Sequence, residues 1–260
     1  MSGDLFVADI GNTHIVMGVY RGRELLANWR IHTRTPRTED ELAVSLSQLF
    51  RLSGMEFSSI GAAAISCVAP TTLRDFVKFT KRFLKCQPLV VGPGVKTGVS
   101  VKVDDPREVG ADRIANAAGG ISLHKPPLII VDFGTAITFD AISAKCEYLG
   151  GAIVPGMTMS LNALSANTAK LPRVELAEPP LVIGTNTINS MQSGVFHGFV
   201  SLVDGIVRKM KPLLGPEVTV IATGGESGLV AGGSETIDVV EENLTLEGLR
   251  VIHENTRKSA

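Results

Sequence analysis

The sequence predicts an α/β protein of two similar domains, each with a mixed β-sheet flanked by helices. Strand-like and helix-like runs alternate along the chain of 260 residues, and one strand, Asp, Gly, strand pattern occurs twice, the second time almost halfway along. One long-range repeat indicates two related domains rather than a solenoid of short units. We therefore expect domains at 1–120 and 121–260, with the last helix able to pack back on the first domain, and an active site in the cleft between them.

Two apolar hairpins carry the repeat. The first copy reads LFVADIGNTHIVMGVY from residue 5, and the second reads LIIVDFGTAITFDAIS from residue 128. In both copies an apolar strand carries an aspartate near its end, Asp9 or Asp132, followed by Gly and small or hydroxyl residues. Gly11 and Asn12 tolerate the positive φ that a hairpin turn needs. The runs LLANWRI and EYLGGAIV then predict a third strand after each hairpin.

The other elements follow from hydrophobic spacing and from start and stop residues. GAAAISCV, PLVVGPG and the first half of VTVIATGGESGLV predict strands. Apolar residues at helical spacing predict helices in TEDELAVSLSQLFRL, PTTLRDFVKFTKRFL, REVGADRIANAAGGISLH, NTINSMQSGVFHGFVSLVDGIVRKMKPLL and LTLEGLRVIHENTRK. Thr38 begins the first of these helices, and Pro70 with Thr71 or Thr72 begins the second.

Composition excludes several classes of protein. The chain has 25 basic and 26 acidic residues, so no basic field favours nucleic acid as a partner. The N-terminus does not resemble a signal peptide and no apolar run is long enough to span a bilayer, which predicts no membrane association and a cytoplasmic location. The three cysteines are odd in number and far apart, so we expect reduced thiols rather than disulfides or a zinc site.

The repeated aspartates raise a chemical question. A single Asp-x-Gly hairpin is more often structural than functional, but two copies favour a shared site. Backbone N–H groups of Gly-rich turns bind phosphate oxygens, and the hydroxyls of Thr13 and Thr135 add donors. Because a carboxylate repels phosphate unless a cation lies between them, we interpret Asp9 and Asp132 as cation-positioning residues, with Mg²⁺ as the default cation.

Five motifs together resemble the type III pantothenate kinase family: DIGNT, EVGADRIANA, VDFGTAITFD, YLGGAIVPGM and NTINSMQSG. The late ATGGES stretch resembles the adenosine motif of the wider superfamily of acetate and sugar kinases and actin. The resemblance implies two RNase H-like (actin-like) domains and ATP-dependent phosphorylation of pantothenate to 4'-phosphopantothenate, the first step of coenzyme A biosynthesis. It also implies a homodimer, Mg²⁺, and a monovalent cation such as K⁺ or NH4⁺.

The resemblance further implies roles for individual residues. The ATP site comprises Asp9, Ile10, Gly11, Asn12, Thr13, His14, Ile15, Val16 and Thr135. The pantothenate site comprises Gly110, Ala111, Asp112, Arg113 and Thr187, with Thr187 reaching in from the partner subunit. Asp132 holds the monovalent cation, while Asp9 stays with ATP and contacts Mg²⁺ through phosphate or water.

Asp112 is the expected catalytic base, because phosphoryl transfer to an alcohol needs a carboxylate near the hydroxyl. Arg113 offers a planar fork of donors suited to the carboxylate of pantothenate. Without the resemblance, capping and decorating a helix would explain both residues equally well, and Thr187 could belong to a helix cap made by Asn186 or Thr185. Many relatives carry Tyr where this chain has Val103, so one contact to pantothenate is in doubt.

Two alternative functions stay open at the level of sequence. One is a non-catalytic regulatory protein on the same fold, against which the intact acidic motifs count. The other is a kinase whose acceptor is a different small acid or sugar. Gly150-Gly151 and Gly224-Gly225 either approach the nucleotide through backbone or form ordinary turns after strands. Among the histidines, only His14 lies beside a predicted phosphate turn, and the others show no metal-ligand spacing.

Overall fold

The computed structural model describes residues 3–33 and 37–258 and confirms the α/β class. In chain order the strands are β1 (Asp4–Ile10), β2 (His14–Arg21), β3 (Glu24–His32), β4 (Ile60–Cys67), β5 (Leu89–Val90), β6 (Ser100–Val101), β7 (Leu128–Phe133), β8 (Ala136–Ile142), β9 (Glu147–Pro155), β10 (Thr219–Thr223) and β11 (Val239–Val240). The α-helices are α1 (Glu39–Leu52), α2 (Pro70–Arg82), α3 (Ala111–Leu123), α4 (Met157–Ala166), α5 (Thr187–Leu214), α6 (Ser227–Ala231) and α7 (Leu244–Arg257).

The chain divides into two compact units. Unit 1 comprises the described residues of Met1–Val99, Asp104–Ser122 and Leu244–Ala260, and unit 2 comprises Ser100–Val103 and Leu123–Asn243. Helix α7, from the end of the chain, belongs to unit 1, where it packs on β1, β2 and β4. The first unit is therefore assembled from both ends of the sequence.

The two sheets share one strand order. In unit 1 the order is β3-β2-β1-β4-β5, with β1, β2 and β3 antiparallel and β4 and β5 parallel to β1. In unit 2 the order β9-β8-β7-β10-β11 repeats the same directions, and the short β6 adds to the β9 edge. The internal repeat is thus a repeat of topology, as expected for two RNase H-like domains.

Each unit has its own apolar core. In unit 1 the core contains a cluster of aromatic rings, with Phe50 stacked on Trp29 at 5.0 Å between centroids and edge-on to Phe57 at 4.9 Å. In unit 2 aliphatic side chains of β7, β8 and β10 pack against α5. Burial of these apolar faces is the main stabilising contribution to each sheet.

Local signals explain where several helices begin. Thr38 caps α1, its side chain accepting from the backbone of Glu41 while the Glu41 carboxylate accepts from the Thr38 backbone, which is a full capping box. Pro70 occupies the first turn of α2, as predicted. The strand predicted in PLVVGPG is only two residues long, and α4 was not predicted.

The helices and the cysteines bear on membrane spans and on disulfides. None of the helices within the described residues is long and apolar enough to cross a membrane. All three cysteines, Cys67, Cys86 and Cys146, are free in the structure.

Candidate functional site

The first glycine-rich turn lies between β1 and β2 and is held on both sides. Within the turn, the Gly11 N–H donates to the carbonyl of His14 at 3.0 Å. From the end of β3, the Thr33 hydroxyl donates to the Gly11 carbonyl at 2.8 Å, and the Thr33 N–H donates to the Thr13 carbonyl at 2.9 Å. These bonds fix the backbone of the turn, so a phosphate group bound there would meet preorganised donors.

His14, the first residue of β2, pairs with His32 of β3 across the sheet. Their rings lie 4.9 Å apart between centroids with a tilt of 36°. The sequence singled out His14 but not His32, because the register of two strands joined by a turn is needed to see the pair.

Asp9 lies near the end of β1, beside this turn, and is half-buried. Its register partner on the parallel strand β4 is Ser66. The Ser66 hydroxyl donates to Asp9 Oδ1 at 2.6 Å, which is short for such a bond and typical of a charge-assisted one. Sequence reasoning missed Ser66.

Asp112 lies in the first turn of α3, where its negative charge interacts favourably with the positive end of the helix dipole. Its Oδ1 accepts from the Arg113 N–H at 2.8 Å. Burial raises the pKa of the Asp112 carboxyl above its usual value, although this bond and the Arg113 charge oppose the shift. A carboxyl group with a raised pKa is a better proton acceptor, because basicity rises with pKa.

The residues around Cys67 connect Asp9 with Asp112. The charges of both aspartates add to the effect of burial in raising the pKa of the Cys67 thiol, so each aspartate lies within electrostatic range of that thiol. The Val68 N–H donates to the Ile10 carbonyl at 3.0 Å, and the Val68 side chain lies beside Gly110. Unit 1 therefore brings the predicted phosphate turn and the predicted base into one region.

The second copy of the turn, in unit 2, carries Asp132 on β7. The glycine-rich element after β10 lies directly against this aspartate, since a Cβ on Gly224 would lie 2.6 Å from Asp132 Oδ1. Gly224 also has φ of 91°, a conformation that favours glycine. The ATGGES motif and the second aspartate thus form one group.

Helix α4 completes this group. The Gly156 N–H, immediately before α4, donates to the Thr135 carbonyl at 3.0 Å. In the first turn of α4 the Thr158 hydroxyl donates to Glu226 Oε1 at 2.5 Å, which ties the helix to the ATGGES motif. Thr135, Asp132 and the N-terminal end of α4 are therefore neighbours, and the positive end of a helix favours anions.

Thr187 is exposed at the start of α5. Asn186 is the helix cap, since its side chain accepts from the Asn189 N–H at 2.9 Å, so Thr187 does not serve as the cap. Thr187 borders a groove of about 690 Å³ whose walls include Leu164, Leu171 and the first four turns of α5. The structure describes Thr187 in unit 2, whereas Gly110, Ala111, Asp112 and Arg113 belong to unit 1.

Asp9 in unit 1 and Asp132 in unit 2 each offer one carboxylate, and a single carboxylate fits a cation that takes its other ligands from phosphate oxygens and water. Within residues 3–33 and 37–258, no cluster of three or more His, Cys, Asp or Glu side chains could hold a metal ion alone. Mg²⁺ suits such a site, because it commonly uses one or two carboxylates together with water and phosphate oxygens. Asp9 and Asp132 each supply one carboxylate beside a glycine-rich turn.

The chain matches one known protein family over most of its length. Residues 5–209 match the family model described as type III pantothenate kinase. A type III pantothenate kinase of Geotalea daltonii is 49% identical over 255 residues, which cover 98% of this chain and 100% of that relative.

Solved structures of lower identity share the fold. A Campylobacter jejuni protein named as a Baf family transcriptional activator superposes with a TM-score of 0.60 at 19% identity, covering 97% of this chain and 99% of the other. An activator of 2-hydroxyisocaproyl-CoA dehydratase from Clostridium difficile, solved with bound ADPNP, gives 0.57 at 13% identity over 98% and 97%. At these identities the likeness shows the fold alone.

Proposed function

The chain belongs to the type III pantothenate kinase family, and from that premise we propose that it transfers the γ-phosphoryl group of ATP to the primary hydroxyl of pantothenate. The products are ADP and 4'-phosphopantothenate, and the reaction is the first step of coenzyme A biosynthesis. Family membership and the agreement of the motifs with the geometry of each unit support this proposal.

The observation that carries the mechanism is the half-buried carboxyl of Asp112, whose pKa burial raises, in the same unit as Asp9 and its turn. In the proposed reaction Asp112 accepts the proton of the pantothenate hydroxyl while the hydroxyl oxygen bonds to the γ-phosphorus of ATP. The bond from that phosphorus to the β-γ bridging oxygen breaks, and ADP leaves with the electron pair. Positioning and charge stabilisation provide most of the rate enhancement in such transfers.

The turn from Gly11 to His14 would bind phosphate oxygens of ATP through the backbone N–H groups that follow Gly11 and through the Thr13 hydroxyl. Ile10, Asn12, Ile15 and Val16 would form its walls. Asp9 would hold Mg²⁺ through water or through a phosphate oxygen, and Mg²⁺ supplies neutralisation of the phosphate charge. In unit 2 Thr135 would contact phosphate, and Asp132 would hold a monovalent cation, K⁺ or NH4⁺.

Pantothenate would be held by its carboxylate on Arg113 and by the backbone at Gly110 and Ala111. Arginine suits this role because its fork of donors matches a carboxylate. We assign the Thr187 hydroxyl, which is not used in the helix cap, to the pantothenate of a partner subunit.

A homodimer is part of this proposal. Apolar side chains stand exposed before and at the start of α5, where Leu181, Val182 and Ile183 are 67%, 66% and 81% exposed. Clustered exposed apolar side chains mark interaction surfaces. We further propose a cytoplasmic reaction without nucleic acid as a partner, supported by the free cysteines and the net charge of −1.

A coupled assay for ADP release tests the proposal. We expect release to require both pantothenate and ATP with Mg²⁺, and Asp112→Asn to lower turnover by roughly a hundredfold or more. The exposed Asp104 of the same unit supplies the control, since Asp104→Asn removes the same charge and should leave turnover unchanged. Nucleotide binding without any pantothenate-dependent ADP release would reject pantothenate as the acceptor.

A further inference from the structure

We infer that Ser66 is a positioning residue for phosphoryl transfer, which acts by holding the Asp9 carboxylate in the orientation that Mg²⁺-bound nucleotide requires. The inference rests on the proposed function for the identity of the nucleotide. It concerns a residue that lies 57 positions from Asp9 in the sequence.

The contact is well defined. The Ser66 side chain is fully buried, at 0% exposure, and its hydroxyl donates to Asp9 Oδ1 at 2.6 Å. The two residues are direct register partners on parallel strands, so the bond joins side chains on the same face of the sheet. A buried hydroxyl at this distance restricts the rotation of the carboxylate more firmly than a water molecule would, because its own position is fixed by the strand.

The second copy of the repeat provides an internal comparison. Thr223 occupies the same place next to Asp132, as its register partner on the parallel strand β10. Its hydroxyl, however, donates to the Glu241 carbonyl at 2.7 Å. A hydroxyl has one proton to donate, so Thr223 does not donate to Asp132 as Ser66 donates to Asp9.

This difference assigns different tasks to the two hydroxyls. Thr223 fastens the end of β10 to the residue after β11, which is a structural role. Ser66 directs its proton to a carboxylate beside the phosphate turn, which is the relation expected of a residue that supports a metal-binding group. Such supporting partners typically contribute tenfold to a hundredfold to metal affinity or activity.

The test measures binding of the non-hydrolysable nucleotide AMP-PNP to the full-length protein while Mg²⁺ is titrated. We expect Ser66→Ala to raise the Mg²⁺ concentration needed for half-maximal binding by about tenfold. Ser66→Thr, which keeps the hydroxyl, should restore the wild-type value. Thr80→Val removes a buried hydroxyl of the same unit that donates to the Val77 carbonyl at 3.0 Å, so it should lower thermal stability without changing the Mg²⁺ requirement.

A second comparison tests whether Ser66 acts through Asp9. In an Asp9→Asn background, Ser66→Ala should cause no additional shift in the Mg²⁺ requirement. The inference is overturned if Ser66→Ala lowers stability but leaves the Mg²⁺ titration unchanged, or if its shift persists in that background. Because the readout is nucleotide binding, it is independent of whether pantothenate is the acceptor.

Discussion

Gly248 of α7 lies directly against the backbone of Ala115 in α3. A Cβ on Gly248 would come within 1.8 Å of the Ala115 carbonyl oxygen, and one on Gly119 of α3 would come within 2.5 Å of the Leu244 carbonyl oxygen. The two helices therefore touch through backbone atoms. Since α3 carries Asp112 in its first turn, the C-terminal helix supports the helix that bears the proposed base.

Replacing Gly248 by Ala should therefore destabilise the protein. The Cβ has no space, and overpacking of this kind typically costs about 1 to 3 kcal/mol. Urea unfolding measures the change. Gly205→Ala in the interior of α5 is the control, because a Cβ there meets nothing within 4 Å and should be neutral or stabilising by up to about 1 kcal/mol. Equal effects of the two substitutions would contradict the assigned contact.

Asp112→Asn should raise thermal stability while it lowers turnover by roughly a hundredfold or more. The folded-state pKa of Asp112 lies above its usual value of 3.8, so the folded protein keeps the proton to higher pH than the unfolded chain. Its ionisation therefore reduces stability as pH rises through the interval between those two values. The variant's gain in Tm should be present at pH 7 and disappear below about pH 3.8, which thermal melts across pH measure.

The pH profile of the wild-type enzyme tests the same group. A base must be deprotonated to act, so kcat/KM, which reports the free enzyme, should fall on the acid side, with its midpoint above the ordinary range of an aspartate. A profile that stays flat down to the ordinary aspartate pKa would contradict a role for this carboxyl.

Arg113→Ala should raise KM for pantothenate by tenfold or more, with a smaller effect on kcat, because a charge-assisted double hydrogen bond to carboxylate is lost. The acceptor analogue in which an alcohol replaces the carboxylate should be used equally by variant and wild type. Arg107→Ala is the control, since Arg107 is largely exposed and paired with Asp105. If the analogue shows the same penalty as pantothenate, Arg113 does not recognise the carboxylate.

The proposed cation-holding role of Asp132 predicts stimulation of the wild-type enzyme by K⁺, and Asp132→Asn should remove it and leave a lower turnover that is the same in K⁺ and in Na⁺. The reason is that a neutral amide is a weaker ligand for a cation than a carboxylate. Steady-state rates in the two salts, at constant ionic strength, measure the effect. Retained K⁺ stimulation in this variant would exclude Asp132 as the cation-holding group.

Asp204→Ala should destabilise the protein by about 2 kcal/mol at pH 7, the scale of hydrogen bonds to a charged group. Asp204, buried in α5, accepts from the hydroxyls of Ser234 and Thr236 and from the Glu235 N–H. Burial alone would raise its pKa, but these bonds hold the pKa below the usual value.

Because the pKa of Asp204 is lowered in the folded protein, its contribution to stability depends on pH. The contribution of Asp204 is present above pH 3.8 and is lost as pH falls through the lowered pKa, so the difference between variant and wild type should shrink in acid. Chemical denaturation at neutral and acidic pH measures it, with Glu217→Gln, an exposed carboxylate of the same unit, as control. A difference independent of pH would contradict the assignment.

The sequence was sufficient for the hairpins and the long helices because their signals are local. The signals are the apolar runs on either side of Gly11 and Gly134 and the helical spacing of apolar residues in α1, α2, α5 and α7. Each depends on neighbours within a few residues. The repeat of Asp9 as Asp132 was visible for the same reason. From two such copies the shared topology of the sheets could be inferred.

What the sequence did not reveal depends on long-range pairing. Ser66 lies in an apolar run, and only the parallel pairing of β4 with β1 places its hydroxyl on Asp9. Helix α4 begins after Gly156 without a side-chain cap, so it has no start signal of the usual kind. The contact of Gly224 with Asp132 likewise requires β10 to lie beside β7.

Phosphoryl transfer to pantothenate is tested most directly by identifying the products formed from pantothenate and ATP with Mg²⁺, by mass spectrometry and phosphorus NMR. We expect equimolar ADP and 4'-phosphopantothenate with the wild-type protein, and almost none of either product with Asp112→Asn. ADP formed without phosphopantothenate, or phosphopantothenate formed equally well by both proteins, would contradict it.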